Sequence, residues 1–324
     1  MNVNLTFELS MVMDNDHFRK AFAGAHNLRE LDDDEYLDTS LAVKGISVIY
    51  RDSQYKKKVR LLVNTALVVG DMTDTDKLVR KLDKRIADHF DHRYRMDDFT
   101  LSGVSFTVDI KVGSRANVSA YLKVLQRVGK VKGFSPVSYD CFDKEASFCL
   151  SGNSNGIDFL LYDLERAVAD QLRNADVGRK KIESVGVQAK GVLRAEVRLT
   201  RPKAVRAYAD ADDVSSRIVE LTKNRMDIFM ETFTRIVPFG DFHKKDAAME
   251  IIRREVPEGI MRKKMLRLLV LIPEKKSIHL AQKAMDCRNR EKVMDAFAKI
   301  NLSPVTLSKR HDVKRLDNLY SHFP

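Results

Sequence analysis

Residues 3–10 alternate cleanly. Val3, Leu5, Phe7 and Leu9 fall on one side, and Asn4, Thr6, Glu8 and Ser10 on the other, which is the two-residue period of a strand with one buried face. Asp14-Asn-Asp opens a short helical stretch over His17–Ala23, and the acidic segment Leu31–Asp38 reads as loop. Ile46–Arg51 and Lys58–Asn64 predict a hairpin around a polar turn, and Asp74–Phe90 predicts a helix. The same order then recurs. Val104–Lys111 is a strand with Val104, Phe106, Val108 and Ile110 on one face, and Asn117–Val128 is helical in spacing. Ala146–Leu150 and Ile157–Tyr162 flank the turn-rich tip Ser151-Gly-Asn-Ser-Asn-Gly156. Asp163–Asn174 is a helix with Leu164, Ala167, Val168 and Leu172 on one side. Overlaying Val3–Ser10 on Val104–Lys111 matches apolar with apolar and sets Glu8 against Asp109. The expectation is a β-α-β-β-α unit used twice, over about 1–95 and 96–215, closed by the strand Val192–Leu199.

Past Pro202 the apolar spacing turns helical: Ile218, Leu221 and Met226; Met261, Met265, Leu268 and Leu269; Val293, Phe297 and Ile300. The predicted fold class is therefore α+β. Antiparallel sheets from the repeated unit occupy 1–215, and an all-helical C-terminal domain follows over 216–324. Within it, Glu291–Ile300, Asn301-Leu-Ser-Pro304 and Val305–Tyr320 read as helix, turn, helix, with Ser303 as N-cap and Pro304 at the first helical position.

Charge sharpens this picture. The chain of 324 residues carries a formal +11, of which +2 falls in 1–200 and +9 in 201–324. A positive field of this kind attracts polyanions, nucleic acid first among them, and equally keeps a solvated helix face soluble. The second helix of the expected helix-turn-helix carries Lys309, Arg310, Lys314 and Arg315, suited to backbone phosphates. No apolar run nears the roughly 20 residues of a membrane span. The start of the chain lacks a leader's early Lys or Arg. Cys141, Cys149 and Cys287 are an odd set without C-x-x-C spacing, arguing against a disulfide framework or zinc module. A cytoplasmic protein with no membrane partner is expected.

The strand Leu193–Leu199 is the segment richest in chemistry. Leu193, Ala195, Val197 and Leu199 form one face, and Arg194, Glu196 and Arg198 the other. A carboxylate between two guanidiniums can bind a metal ion or a phosphate, or the three can neutralise one another. Arg194 and Arg198 join the four C-terminal cations as expected DNA-binding residues. If the strand of Asp109 lies beside that of Glu196, two hard oxygen donors converge, a choice that suits Mg²⁺ or Mn²⁺. Tyr208 follows Pro202 near Arg201, Lys203 and Arg206, as a phosphodiester-attacking tyrosine would need, although its spacing from Val205 also suits packing. His89 and His92 are three apart and read as exposed helix-end residues. There is no G-x-x-x-x-G-K-[S/T] phosphate loop and no G-x-S-x-G elbow, which argues against a nucleotide-driven motor and an esterase.

Taken together, Leu101–Val128, Phe148–Glu165 and Leu193–Leu199 resemble the phage and plasmid replication initiation proteins, including filamentous-phage nicking proteins and rolling-circle initiators of Gram-positive plasmids. The segment Val305–Tyr320 after Asn301-Leu-Ser-Pro is similar to the tail of phage-borne members. The resemblance implies metal-dependent nicking and joining of one DNA strand at a replication origin through a tyrosine nucleophile. Its partners would be origin DNA and a host helicase or polymerase. By position it implies Asp109 and Glu196 as ligands of Mg²⁺ or Mn²⁺, a match of Tyr162-Asp163 to the family's Tyr-Asp pair, and Arg194 on phosphate. Tyr208 is taken as the nucleophile. Two positions depart from the pattern: Ser105 stands where a first Asp is expected, and Leu164 where Lys is expected. The alternative reading is a sequence-specific DNA-binding initiator or repressor that does not cut. A helical scaffold with a basic face for an acidic partner is a third.

Overall fold

The computed structural model describes residues 3–32, 34–70, 74–139, 143–152, 154–174, 188–285 and 290–323. Asn153, Cys141, Cys287 and the side chain of Leu172 lie outside the described residues. Ten strands make one antiparallel sheet: β1 (Asn4–Met13), β2 (Leu28–Asp32), β3 (Glu35–Asp38), β4 (Ile46–Asp52), β5 (Lys57–Asn64), β6 (Thr100–Lys111), β7 (Ser135–Pro136), β8 (Ser147–Gly152), β9 (Ile157–Asp163) and β10 (Val192–Leu199). Their spatial order is β2-β3-β4-β5-β1-β6-β10-β9-β8-β7. The two strands with the longest alternation, β1 and β6, pair at the centre, with Leu5 opposite Phe106 and Phe7 opposite Val104. Their apolar sides are fully buried, so the period of two fixes both register and facing.

The helices are α1 (Asn15–Ala23), α2 (Thr65–Val69), α3 (Thr75–His89), α4 (Arg115–Leu125), α5 (Leu164–Asn174), α6 (Pro202–Arg206), α7 (Val214–Lys223), α8 (Arg225–Ile236), α9 (Lys245–Glu255), α10 (Gly259–Lys275), α11 (Ile278–Ala284) and α12 (Arg290–Lys299). Asp14, Asp74, Ser114 and Asp213 cap α1, α3, α4 and α7, accepting the N–H of His17, Lys77, Asn117 and Ser216. One apolar face of the sheet supports α3, α4 and α8 in a continuous core. On that face the Phe159 ring of β9 meets Phe233 of α8 at 6.0 Å. The other face stays polar and open over its centre. α5 reaches it at one end, where Ala167 packs against Tyr162, Leu160 and Cys149. Among the described residues, no helix is long and apolar enough to cross a membrane.

Three sequence expectations are corrected and one is refined. The acidic segment 31–38 is not loop: β2 and β3 pair as an exposed edge hairpin, since charges along an edge are compatible with a strand that has solvent on its outer side. The element order β-α-β-β-α occurs in both halves, but its place in the sheet differs: β5 pairs directly with β1, whereas β10 stands between β6 and β9. The halves do fan outward from β1 and β6 in parallel fashion, β5-β4-β3-β2 on one side and β10-β9-β8-β7 on the other. Nor is the C-terminal segment all helical: β11 (Phe242–His243) pairs with β12 (Arg315–Leu316). Finally, Val305–Tyr320 is not the second helix of a helix-turn-helix. Parallel bridges from Asp241 to Leu302 and from Lys244 to Leu307 hold this chain extended against the segment before α9. Ser303 and Pro304 are buried in it, with the Ser303 N–H donated to the Asp241 carbonyl. Backbone bonds to a neighbouring segment thus replace the local bonds that the Ser-Pro signal predicts.

Candidate functional site

The open face of the sheet carries a cleft of ≈ 950 Å³ across its centre, from β4 and β5 to β9. Register decides what meets there. Arg194 lies opposite Asp109 on β6 and Tyr162 on β9, while Arg198 lies opposite Ser105 and Asp158. The adjacency that makes Asp109 and Glu196 interesting therefore holds: both carboxylates rise from neighbouring strands on one face.

Each is already held by a guanidinium. Arg194 donates from Nε and Nη2 to the two Asp109 oxygens at 2.7 and 2.9 Å. Arg198 donates in the same bidentate way to Glu196 at 2.9 and 3.0 Å. Burial alone would pull both guanidiniums down, and the paired carboxylates hold them above their ordinary range instead. Glu196 is buried, and the Tyr162 hydroxyl donates to its Oε2 at 3.4 Å. Burial beneath α5, and then the Glu196 charge, push the Tyr162 phenol well above the usual tyrosine range, so it is a neutral phenol near pH 7. Next to it Asp158 accepts from Tyr139 Oη and Ser151 Oγ, both at 2.6 Å. Across the cleft Glu8 accepts from Ser102 Oγ at 3.3 Å and lies 4.0 Å from Arg60, which also donates to Glu35 at 2.9 Å. Four cations (Lys58, Arg60, Arg194 and Arg198) against two carboxylates (Glu8 and Glu196) line the cleft.

The two carboxylates expected to hold a cation are each paired with an arginine. Among the described residues no three His, Cys, Asp or Glu side chains converge, and both oxygens of each candidate ligand already accept from a guanidinium. Tyr208 is not at the cleft. It lies past the end of α6, half-buried on the helix side, where burial and then the nearby Glu231 charge of α8 raise its phenol above the ordinary tyrosine range. Lys309 and Arg310 are exposed in a loop, and Lys314 is exposed beside β12. Arg315 is tied to Asp241 and Asp317 at 2.9 and 3.0 Å. This segment packs on α4 through Tyr121, whose hydroxyl donates to the Asp317 carbonyl at 2.8 Å, so none of the four cations reaches the cleft. His89 is not an exposed helix-end residue. It is half-buried, with Nε2 3.1 Å from the Tyr50 hydroxyl. His92 is exposed. Sequence reading passed over Tyr162 as a chemical group, along with Asp158, Glu8 and Arg60. The signal was there in Asp158-Phe-Leu-Leu-Tyr162, whose two polar ends share a parity and hence a face. No protein-family model, curated protein or solved structure matches the chain.

Proposed function

We propose that this chain is a DNA replication initiator of the phage or plasmid kind, and that its cleft nicks and rejoins one DNA strand with Tyr162 as nucleophile in place of Tyr208. One observation carries the reading: a tyrosine hydroxyl bonded to a buried glutamate, flanked by two arginines, in a cation-lined cleft on an open sheet face. The resemblance of the same strands to replication initiators supports it.

The chemistry runs through the residues present. A strand lies along the cleft with its phosphates against Lys58, Arg60, Arg194 and Arg198. The Tyr162 oxygen attacks phosphorus, and its proton passes to Glu196, the nearest carboxylate. The phosphorus–O3′ bond breaks and the departing oxygen takes a proton, leaving a phosphotyrosine link and a free 3′-OH. Arg194 and Arg198 face the negative charge that develops on the phosphoryl oxygens. Rejoining is the reverse. No step needs Mg²⁺ or Mn²⁺, and the assay carries each as a variable.

The test mixes the protein with supercoiled DNA of its own replicon, with Mg²⁺, Mn²⁺ or chelator, and looks for a detergent-resistant protein–DNA adduct. The parent and Tyr208→Phe are expected to form it, and Tyr162→Phe to form none. A full yield of adduct from Tyr162→Phe refutes the assignment. Salt-sensitive binding with no adduct from the parent establishes the non-cutting initiator or repressor instead.

A further inference from the structure

On the helix side of the sheet lies a second group of cations, one of them with an enclosed, unpartnered nitrogen. Arg127 sits in the single 3₁₀ turn Gln126–Val128 that follows α4, half-buried. Its Nε is enclosed yet has no hydrogen-bond partner among the described residues. Burial pulls the guanidinium down with no carboxylate acting against it, the opposite of Arg194 and Arg198. Beside it is His311, which is 8% exposed. His311 Nδ1 accepts the Ser308 N–H at 2.9 Å. That bond places the ring proton on Nε2, which has no protein partner among the described residues. Arg127, Lys123 and Lys244 lie close enough for their charges to act on this ring, and Asp312 opposes them. The backbone explains the convergence. Lys123 is in the last turn of α4, and Lys244 immediately precedes α9. Leu307 donates its N–H to the His243 carbonyl at 2.9 Å, which brings the loop carrying Lys309, Arg310 and His311 alongside.

We propose that Arg127, Lys123, Lys244 and His311 form a binding site for a phosphate group, separate from the cleft. An enclosed guanidinium N–H without a partner is disfavoured in a folded chain, and Arg127 Nε is such a group. A tetrahedral oxyanion offers its missing acceptors, a guanidinium fork, two ammonium groups and an imidazole N–H being donors of the kind such an anion takes. The site stands whether or not the cleft cuts DNA. Its phosphate belongs either to a nucleic-acid backbone or to a small phosphorylated molecule.

The proposal makes an unusual pair of demands on Arg127→Met. Without phosphate the variant melts higher than the parent, because a half-buried cation with an enclosed, unpartnered Nε–H is gone. In phosphate it loses the rise in Tm that the parent shows over chloride at equal ionic strength. Affinity for inorganic phosphate by calorimetry falls at least about tenfold, the equivalent of one charged hydrogen bond. Lys123→Gln, at an exposed position, combined with Lys244→Gln weakens phosphate in the same direction without removing the enclosed guanidinium. An equal response to phosphate and chloride in the parent overturns the proposal, as does a parent-like phosphate affinity in both variants. A labelled DNA duplex separates the two sources. If Arg127→Met weakens the duplex and phosphate displaces it, the ligand is nucleic-acid backbone. If phosphate binding is lost while duplex affinity is unchanged, it is a small phosphorylated molecule.

Discussion

The open face of the sheet carries two arginine–carboxylate pairs of the same bidentate geometry in different surroundings, and that contrast gives a quantitative prediction. In the Glu196–Arg198 pair the side chains are 9% and 30% exposed; in the Asp109–Arg194 pair they are 36% and 30%. Stripping one partner from a fully buried pair costs about 3–5 kcal/mol, because the other charge is left in a medium that does not solvate it. Arg198 keeps about a third of its surface in water, so it partly resolvates, and we expect a coupling near 2 kcal/mol for Glu196 with Arg198. Asp109 is open enough to behave as a surface pair, with a coupling of about 0.5–1 kcal/mol. The assay is a double-mutant cycle in urea: Glu196→Ala, Arg198→Ala and the double variant, and the same for Asp109 and Arg194. In molar salt, where the screening length is about 3 Å, the Asp109 coupling collapses and the Glu196 coupling persists. Equal couplings at the two pairs, or the reverse order, would refute the reasoning that burial of Glu196 sets the electrostatics of the cleft.

Other predictions follow from the same structure. Burial holds His89, His243, His279 and His311 below the usual imidazole range, with Asp38 and Asp91 opposing it at His89. As pH falls below about 6.5 the unfolded chain takes up these protons first, so stability is full above that value and declines beneath it. Urea midpoints between about pH 7.5 and 5.5 should show the decline, and His89→Gln should shallow it. Gly129 has φ of +59°, and a Cβ there would lie 2.1 Å from the Lys276 carbonyl oxygen. Gly129→Ala is expected to lose about 2–3 kcal/mol in urea unfolding by straining the join between the turn after α4 and the end of α10. A loss under about 0.5 kcal/mol would mean that this join gives way freely.

What the amino-acid order determined by itself was whatever depends on near neighbours. Strands β1, β6 and β10 were legible because apolar residues recur every second position, and one face of each is buried. α3 was legible from its Asp cap and helical spacing. The face carrying Arg194, Glu196 and Arg198 was legible for the same reason. Local signals misled where the partner was distant. Ser303-Pro304 has the form of a helix start, yet bonds to Asp241 and Lys244 keep the chain extended. Tyr208 has cations near it in sequence, yet it packs on the helix side, near Glu231 and away from the cleft. Tertiary structure alone chose Tyr162, because strand register set it opposite Arg194 and within reach of Glu196. It alone gathered Arg127, Lys123, Lys244 and His311, which lie up to nearly two hundred positions apart in the chain. Sequence periodicity carries the direction in which a side chain points. Which charges then share a cavity depends on the pairing of segments far apart, and that is settled by burying the whole core at once.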